Sequence, residues 1–456
     1  MKLPATAFII IVSSTSLLAQ WSELGGHNAL ASNDGIFTLC TDAAGNVYAA
    51  GSFTNVSGKC YVAKYNGSSW SELGGLNGLA ANGYINSICS DVAGNIYAAG
   101  EFTNSSSKYY VAKYNGSTWS ELGGLNSLAA NSDISSICAD GGIVYAAGYF
   151  ENSSFKKYVA KYNGSSWSEL GGTNSLAAND QIMAICTDAA GNVYAGGSFT
   201  NGSTSTSGNK YVAKFSFGNW SELGGTNALA ANFYINVVCT DAAGNIFAAG
   251  GFTNAASNSY VAKYNGTSWS ELGGINALAA NGAIYSICAD ATGNIYASGG
   301  FPNSSGNRYV AKFNGIGWNE LGGLNALDAN DWIMSNCTDA TGNLYTGGYF
   351  TNGVTSSTGF SYVAKYTIPT EVSDLPSGNS FLLYPNPANA YLIIRSSKLN
   401  MESIEVYDAL GQAHACAFRI IQSSFHIDIS KLDVGIYFLR VLTNDSKMHM
   451  LKFFKR

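Results

Sequence analysis

Trp70-Ser71-Glu72-Leu73-Gly74-Gly75-Leu76-Asn77-Gly78-Leu79 opens a unit that this chain writes seven times. The same pattern, Trp-Ser/Asn-Glu-Leu-Gly-Gly-x-Asn-x-Leu, begins at Trp21, Trp119, Trp167, Trp220, Trp269 and Trp318, and the seven tryptophans are spaced by 49, 49, 48, 53, 49 and 49 residues. A fixed period of this length marks a repeat architecture, in which each unit buries its apolar faces against its neighbours. Four short runs make up the second copy, at 70–73, 85–90, 95–99 and 109–114. The later ones are rich in Tyr, Val and Ile, and turn residues bound each run, as expected of strands. Four antiparallel strands per unit with no helical periodicity make one blade of a β-propeller, so an all-β, seven-bladed propeller is predicted.

Two turn signals recur. Asn66-Gly67, Asn115-Gly116, Asn163-Gly164, Asn265-Gly266 and Asn314-Gly315 precede the next Trp, where positive φ suits a two-residue hairpin. Asp-Ala-x-Gly-Asn, as at 42–46 and 188–192, joins the innermost run to the one after it. The phase of the repeat predicts how the ring closes. The first copy opens on the Trp21 strand, which ends a unit if the Ile-x-x-Ile-Cys run is innermost, and the last copy stops at 362–366 with no Trp after it. The N-terminus is therefore expected to supply the outer strand of the last blade, removing an exposed edge.

The runs 41–51 and 240–250 resemble the repeat family named for seven-bladed β-propellers, whose hallmark is Asp-x-x-Gly-Asn-x-Tyr-x-x-Gly. The resemblance covers residues 21–366, and six of the seven copies carry it well. The third reads Asp140-Gly141-Gly142-Ile143-Val144-Tyr145, which shortens its turn by one residue. The family is defined by fold and its members have diverse roles, so the resemblance implies no activity.

Each copy repeats one Glu, one Asp and one Lys, exemplified by Glu72, Asp91 and Lys113. Catalysis needs a unique constellation, whereas identical groups stamped out seven times suit a packing unit. The Asp is expected to cap its turn through backbone amides, and the mid-strand Lys to pair with a carboxylate. Cys40, Cys89, Cys138, Cys186, Cys239, Cys288 and Cys337 occupy one equivalent position on the innermost strand; without paired spacing they read as small buried hydrophobes, not as metal ligands or disulfides. Cys60 and Cys416 are singletons.

Composition narrows the functional classes. Only 11% of the 456 residues are charged, 46% are hydrophobic, and the formal charge is -6 with no basic cluster, which argues against nucleic acid as a partner. The propeller segment has a single histidine, His27, and shows no Ser-His-Asp arrangement or phosphate-cradling loop. No cofactor and no metal are expected, and the propeller is expected to be monomeric.

Repetition identifies scaffold, so differences between copies identify candidate function. The loops between the second and third strands vary in length, as at 104–108, 201–210 and 352–361, and open on the face where the innermost strands begin. The two residues before each innermost strand should ring the mouth of the central channel. They read Asp34-Gly35, Gly83-Tyr84, Ser132-Asp133, Asp180-Gln181, Phe233-Tyr234, Gly282-Ala283 and Asp331-Trp332. Aromatic faces stack on the C–H surfaces of sugars while carboxylates and amides take hydroxyls. Tyr84, Asp133, Asp180, Phe233, Tyr234, Asp331 and Trp332 are therefore the candidate ligand-binding residues, for a glycan or a protein. Two alternatives stand beside a non-catalytic binding module: a polysaccharide-degrading enzyme using Asp180 and Asp331, or a purely structural or adhesive surface protein.

The ends of the chain carry different signals. Residues 1–19 combine Lys2, an apolar run and Ala19, as in a secretory leader, and are too short and interrupted to anchor in a membrane. Residues 20–366 are the propeller, 367–380 read as a linker with Pro369 and Pro376, and 381–456 hold short strands at 382–384, 391–394, 403–407, 426–429, 437–441 and 448–454, as in a small Ig-like β-sandwich. Tyr384-Pro385-Asn386-Pro387, Val406 to Gly411, Gly435 with Tyr437 and Arg440, and the terminal Lys452 to Lys455 resemble, in order, the type A C-terminal sorting domain of the Bacteroidetes type IX secretion system. That resemblance implies export across the outer membrane, engagement of the type IX machinery, and removal of this domain on release or attachment at the cell surface. Charge divides accordingly: residues 21–380 carry -10 and residues 381–456 carry +3.

Overall fold

The computed structural model describes residues 20–204, 206–323, 326–353, 357–367, 381–384, 388–396, 401–408, 412–421, 424–443 and 448–456. The leader expected over 1–19 and, apart from Thr367, the linker expected over 367–380 lie outside the described residues. The chain divides into two compact units, Met1–Ile368 and Pro369–Arg456.

Among the described residues, the first unit holds seven four-stranded antiparallel sheets. Six use consecutive strands, as in the first blade with Ile36–Thr41, Val47–Gly51, Ala63–Tyr65 and Trp70–Glu72, from the innermost outward. The seventh combines Ile333–Thr338, Leu344–Gly348 and Ala364–Thr367 with Gln20–Glu23, so the N-terminal strand closes the ring. Trp21 pairs with Tyr366 and Glu23 with Ala364, and the Trp21–Tyr366 rings lie 5.2 Å apart, matching the 5.5 Å of Tyr65–Trp70 in the first blade.

The core sits between blades. Tyr48, Ala50 and Val62 of the first blade pack on Ile85, Ile88 and Phe102 of the second, and equivalent layers recur around the ring. Second strands such as Val47–Gly51 are buried throughout because both of their faces meet protein, which leaves no place for charge. The interfaces are pinned by an indole ring-lock: Trp70 Nε1 donates to Leu24 O at 3.0 Å, Trp119 to Leu73 O at 3.0 Å, and Trp21 to Leu321 O at 3.2 Å, so each blade's Trp holds the blade before it. The seven equivalent thiols, expected to be buried, are only partly so: they pack against these layers and are free. Burial, with the charge of Asp140, pushes Cys138 up to about 12, so it stays protonated.

The repeated Asp caps its turn as expected. Asp42 Oδ1 accepts from the amides of Ala44 (3.0 Å) and Asn46 (2.9 Å), while Oδ2 accepts from Asn46 Nδ2 (2.7 Å) and Tyr48 OH (2.8 Å). The third copy replaces this by a two-residue turn with Gly141 and Gly142 at φ 54° and 84°. The repeated Glu also serves the scaffold: Glu72 accepts from Asn55 Nδ2 at 3.2 Å, tying down the loop between second and third strands.

Two expectations are corrected. The Asn-Gly turns are four-residue loops, since Tyr65 pairs with Trp70; Asn66 Oδ1 accepts from the amides of Ser68 and Ser69, and only Gly67 takes positive φ, at 96°. The two-residue form occurs in the fourth blade, which lacks Asn-Gly, with Phe217 and Gly218 at φ 51° and 83°. The mid-strand Lys does not pair with a carboxylate: Lys64 Nζ sits 5.7 Å from the ring centroid of Tyr48, its cross-strand partner, and the contact recurs at Lys113, Lys214, Lys263, Lys312 and Lys365. Register, not charge, chooses the partner, and cation–π attraction serves where no carboxylate faces the strand.

The seventh blade departs from the others inside its core. Asn336 and Thr346 stand where the first blade has Leu39 and Ala49, and Thr346 Oγ1 donates to Asn336 Oδ1 at 2.6 Å. Asn336 Nδ2 and Ser298 Oγ are buried without a partner among the described residues. Buried unpaired polar atoms each cost about 1–3 kcal/mol. The double substitution Asn336→Ile with Thr346→Ala, restoring the residues of the second blade, is therefore expected to raise the propeller's melting temperature by a few degrees in a thermal scan; a lower melting temperature would contradict it.

The second unit has two four-stranded antiparallel sheets among its described residues. One orders Phe381–Tyr384, Tyr391–Ser396, Ser424–Asp428 and Phe418–Ile421; the other orders Ala413–His414, Met401–Asp408, Gly435–Thr443 and Met448–Lys455. Leu392, Ile394, Val406, Ile427, Leu439 and Phe453 form the core between them. Ala413–His414 and Phe418–Ile421 are strands that the sequence pattern did not reveal.

Candidate functional site

The innermost strand of every blade carries a β-bulge at its start. Ile36 pairs with Gly51 and Thr38 with Ala50, leaving Phe37 unpaired, and the same slip occurs in all seven blades. A glycine makes it possible: a Cβ at Gly51 would lie 2.1 Å from Gly35 O, and the equivalent glycines are as tightly approached. The bulge turns one side chain per blade out of the interblade layers and into the channel. These side chains are Phe37, Asn86, Ser135, Met183, Asn236, Tyr285 and Met334, seven residues of mixed chemistry that each follow an invariant Ile.

Six of them, with Tyr234 and Tyr349, line a cavity of about 450 Å³ at the channel mouth, within the range of small-ligand sites. One wall is aromatic. Tyr84 meets Phe37 edge-on at 6.0 Å, Phe37 meets Tyr349 at 5.6 Å, Tyr349 meets Trp332 at 6.4 Å, and Trp332 meets Tyr285 at 5.7 Å. Phe233 packs on Tyr234 at 4.2 Å. Small residues make room for these rings: a Cβ at Gly35 would fall 2.6 Å from Tyr349, and one at Gly251 the same distance from Phe233. Asn86, Met183, Asn236 and Met334 complete the lining, and beside it Gln181 Nε2 donates to Ser135 Oγ at 2.9 Å.

Carboxylates stand on the rim. Asp34, Asp180 and Asp331 each accept at Oδ1, at 2.7 Å, from the amide of the following residue, and Asp133 accepts from Ser132 Oγ at 3.1 Å. Glu101 joins them: burial and the charge of Asp133 push its carboxyl up, partly offset by a hydrogen bond from Asn86. Burial and the charges of Asp34, Tyr84 and Asp331 push the Tyr349 hydroxyl up. Among the described residues no group of three His, Cys, Asp or Glu side chains is placed to hold a metal.

Of the residues singled out in the sequence, Tyr234 lines the cavity, Tyr84 and Trp332 pack on its lining rings, and Asp133, Asp180, Phe233 and Asp331 belong to the rim. Asp180 and Asp331 lie on blades four and seven, across the channel from each other. Sequence reasoning passed over Phe37, Asn86, Met183, Asn236, Tyr285, Met334 and Tyr349. The available signal was a variable residue following an invariant Ile, opposite an invariant Gly.

In the second unit, Tyr384 pairs with Ile393, and Pro385, Asn386 and Pro387 lie outside the described residues. Gly435 pairs with Lys455 and Phe438 with Lys452. Tyr437 is buried, stacks on Phe453 at 5.6 Å and donates to Asp433 O at 3.1 Å. Arg440 bridges to Glu405 and lies 5.2 Å from the centroid of Tyr407.

Residues 382–455 match the family described as the secretion system C-terminal sorting domain. The second unit is a secretion sorting tail. It implies interaction with the type IX machinery and export to the cell surface or the extracellular space. No helix among the described residues is long and apolar enough to cross a membrane. No curated protein matches the chain. Among solved structures, it is similar to the extracellular domain of a one-component system of B. thetaiotaomicron (12% identity, 95% of this chain and 58% of that one, TM-score 0.49). The WD40 β-propeller domain of Doa1 is similar at 11% identity, over 75% of this chain and 96% of that one, with TM-score 0.48. An ulvan lyase of a polysaccharide lyase family is similar at 12% identity, over 75% and 95%, with TM-score 0.44.

Proposed function

We propose that the chain is an exported, non-catalytic binding module whose propeller takes a glycan at the channel mouth, and whose sorting tail is removed after delivery. The observation that carries this reading is the aromatic-walled cavity of about 450 Å³, most of whose lining comes from the bulged strand position, where the blades place Phe, Asn, Ser, Met or Tyr. Partly exposed rings at Tyr84, Phe233 and Trp332 offer stacking faces for pyranose rings, and the rim carboxylates accept from hydroxyls. A leader cleaved after Ala19 would leave Gln20 first, and Gln20 is the first residue of the closing strand.

Binding without turnover is favoured by the placement of the carboxylates. Asp180 and Asp331 are each held by their own loop amide, and they belong to blades on opposite sides of the channel rather than to one acid–base pair. The test is a glycan array probed with the full chain and with Trp332→Ala and Tyr285→Ala. Each variant is expected to lose about tenfold or more in binding to the parent's ligands, the scale of a stacking anchor, with an unchanged melting temperature. Unchanged binding would refute the site. Hydrolysis of any array ligand that vanishes in Asp180→Asn or Asp331→Asn would refute the non-catalytic reading.

A further inference from the structure

The mouth is unbalanced in charge. Asp34, Glu101, Asp133, Asp180 and Asp331 all stand on its rim, and among the described residues no Lys, Arg or His occupies a rim or lining position. The basic side chains of the same face lie in the loops between second and third strands, where Lys157 is already bound to Glu151 at 3.0 Å and Arg308 donates to Gly306 O at 3.3 Å. The loop hydrogen bonds at Oδ1 of Asp34, Asp180 and Asp331 would be met equally by the amide oxygen of Asn, so the scaffold does not require the charge.

The carboxylates also stand in a particular relation to the aromatic wall. Tyr349 is central to it, touching Phe37 and Trp332, and the loops that carry Asp34 and Asp331 flank it: a Cβ at Gly35 would fall 2.6 Å from its ring, and its amide donates to Trp332 O at 2.9 Å. In both of these aspartates Oδ1 is committed to a loop amide, and Oδ2 has no hydrogen-bond partner among the described residues. A ring face with carboxylates at its edge is the arrangement that attracts an ammonium group: the ring quadrupole and the full charges act in the same direction. An acidic sugar would meet repulsion there, and a neutral one would engage the carboxylates through hydroxyls alone, without the gain from charge.

We propose that the sugar taken by this mouth is an amine-bearing hexosamine polymer, its ammonium groups set between the aromatic wall and the Asp34 and Asp331 carboxylates. This deepens the glycan reading and rests on it. Recognition then has two parts, stacking for the ring and charge for the amine, and the second part is sensitive to salt.

Calorimetric titration of the full chain with four probes separates the possibilities: a glucosamine hexamer, an N-acetylglucosamine hexamer, a glucose hexamer and a hexalysine peptide. The glucosamine hexamer is expected to bind about tenfold tighter than its acetylated counterpart, and to weaken when sodium chloride is raised to about 0.5 M. The double variant Asp34→Asn with Asp331→Asn keeps both Oδ1 acceptors, so it should melt as the parent does while binding the two hexosamine hexamers about equally. Equal or tighter parent binding of the acetylated or glucose hexamer would overturn the charge inference and leave the glycan reading standing. Hexalysine binding as tightly as the amino sugar would overturn the assignment to a sugar. Failure of every sugar to bind would sink both readings.

Discussion

Deletion of residues 20–24 is expected to abolish cooperative folding of the propeller, although it removes a segment more than three hundred residues away from the strand it pairs with. The loss falls on several terms at once. Ala364–Thr367 becomes an open edge, and Leu24 N no longer donates to Val363 O. Both ends of the indole lock at this seam disappear, Trp21 Nε1 to Leu321 O and Trp70 Nε1 to Leu24 O. Trp21 itself is a core residue at 8% exposure, and truncating a buried Trp costs about 3–5 kcal/mol. An unclosed ring also presents a strand edge to other molecules. Thermal unfolding and size-exclusion chromatography check this: the deletion should give a broad low-temperature transition and oligomers, and Trp21→Ala a sharp transition shifted down. A deletion variant that stays monomeric and melts within two degrees of the parent would refute the closure.

The second large effect is acid lability centred on the Asp turns. At Asp42, Asp91, Asp188, Asp290 and Asp339 burial raises the carboxyl pKa, but hydrogen bonds from the turn's Asn, from the backbone and from a Tyr hydroxyl more than offset it and hold it below the usual carboxylate value. A depressed folded-state pKa means stability that is fully present above the unfolded value near 4 and lost as pH falls through the folded one. Several groups shifted in one direction should make the melting temperature nearly flat above about pH 5 and fall steeply below about pH 4. At a single site, Asp188→Ala strips the acceptors from Ala190 N, Asn192 N, Asn192 Nδ2 and Tyr194 OH. Its expected cost is about 2–4 kcal/mol, since Tyr194 is left buried with an unpaired hydroxyl. Denaturant unfolding at neutral pH measures it, and a cost under about 0.5 kcal/mol, the range of ordinary surface changes, would contradict the capping role.

Much of the fold was legible because a repeat advertises itself. The Trp spacing, the phase that puts Trp21 outside Tyr366, the capping Asp and the shortened third turn could all be read from residues alone, since each depends on local chemistry or on counting. What escaped depends on register. Whether Lys64 meets a ring or a carboxylate is decided by the strand pairing that sets it across from Tyr48. Whether Asn66-Gly67 is a hairpin or part of a four-residue loop depends on where pairing resumes, at Trp70.

The site was half legible for the same reason. A bulge re-aims one side chain without changing the hydrophobic pattern around it, so Phe37 and Tyr285 read as ordinary strand residues between buried neighbours. The loop residues just before the strand, by contrast, announce themselves through composition. Their rings and carboxylates form the rim, while the bulged position supplies most of the lining.

The most direct test of the account replaces the six bulged residues other than Ser135, namely Phe37, Asn86, Met183, Asn236, Tyr285 and Met334, by Ser in one chain and measures glycan binding and melting together. Because the bulge turns these side chains out of the interblade core, apart from single hydrogen bonds of Asn86 to Ile134 O and Asn236 to Ile284 O, the variant should melt within a few degrees of the parent and lose binding to every glycan the parent recognises. Retained binding in a folded variant would contradict the assignment of the channel mouth as the site.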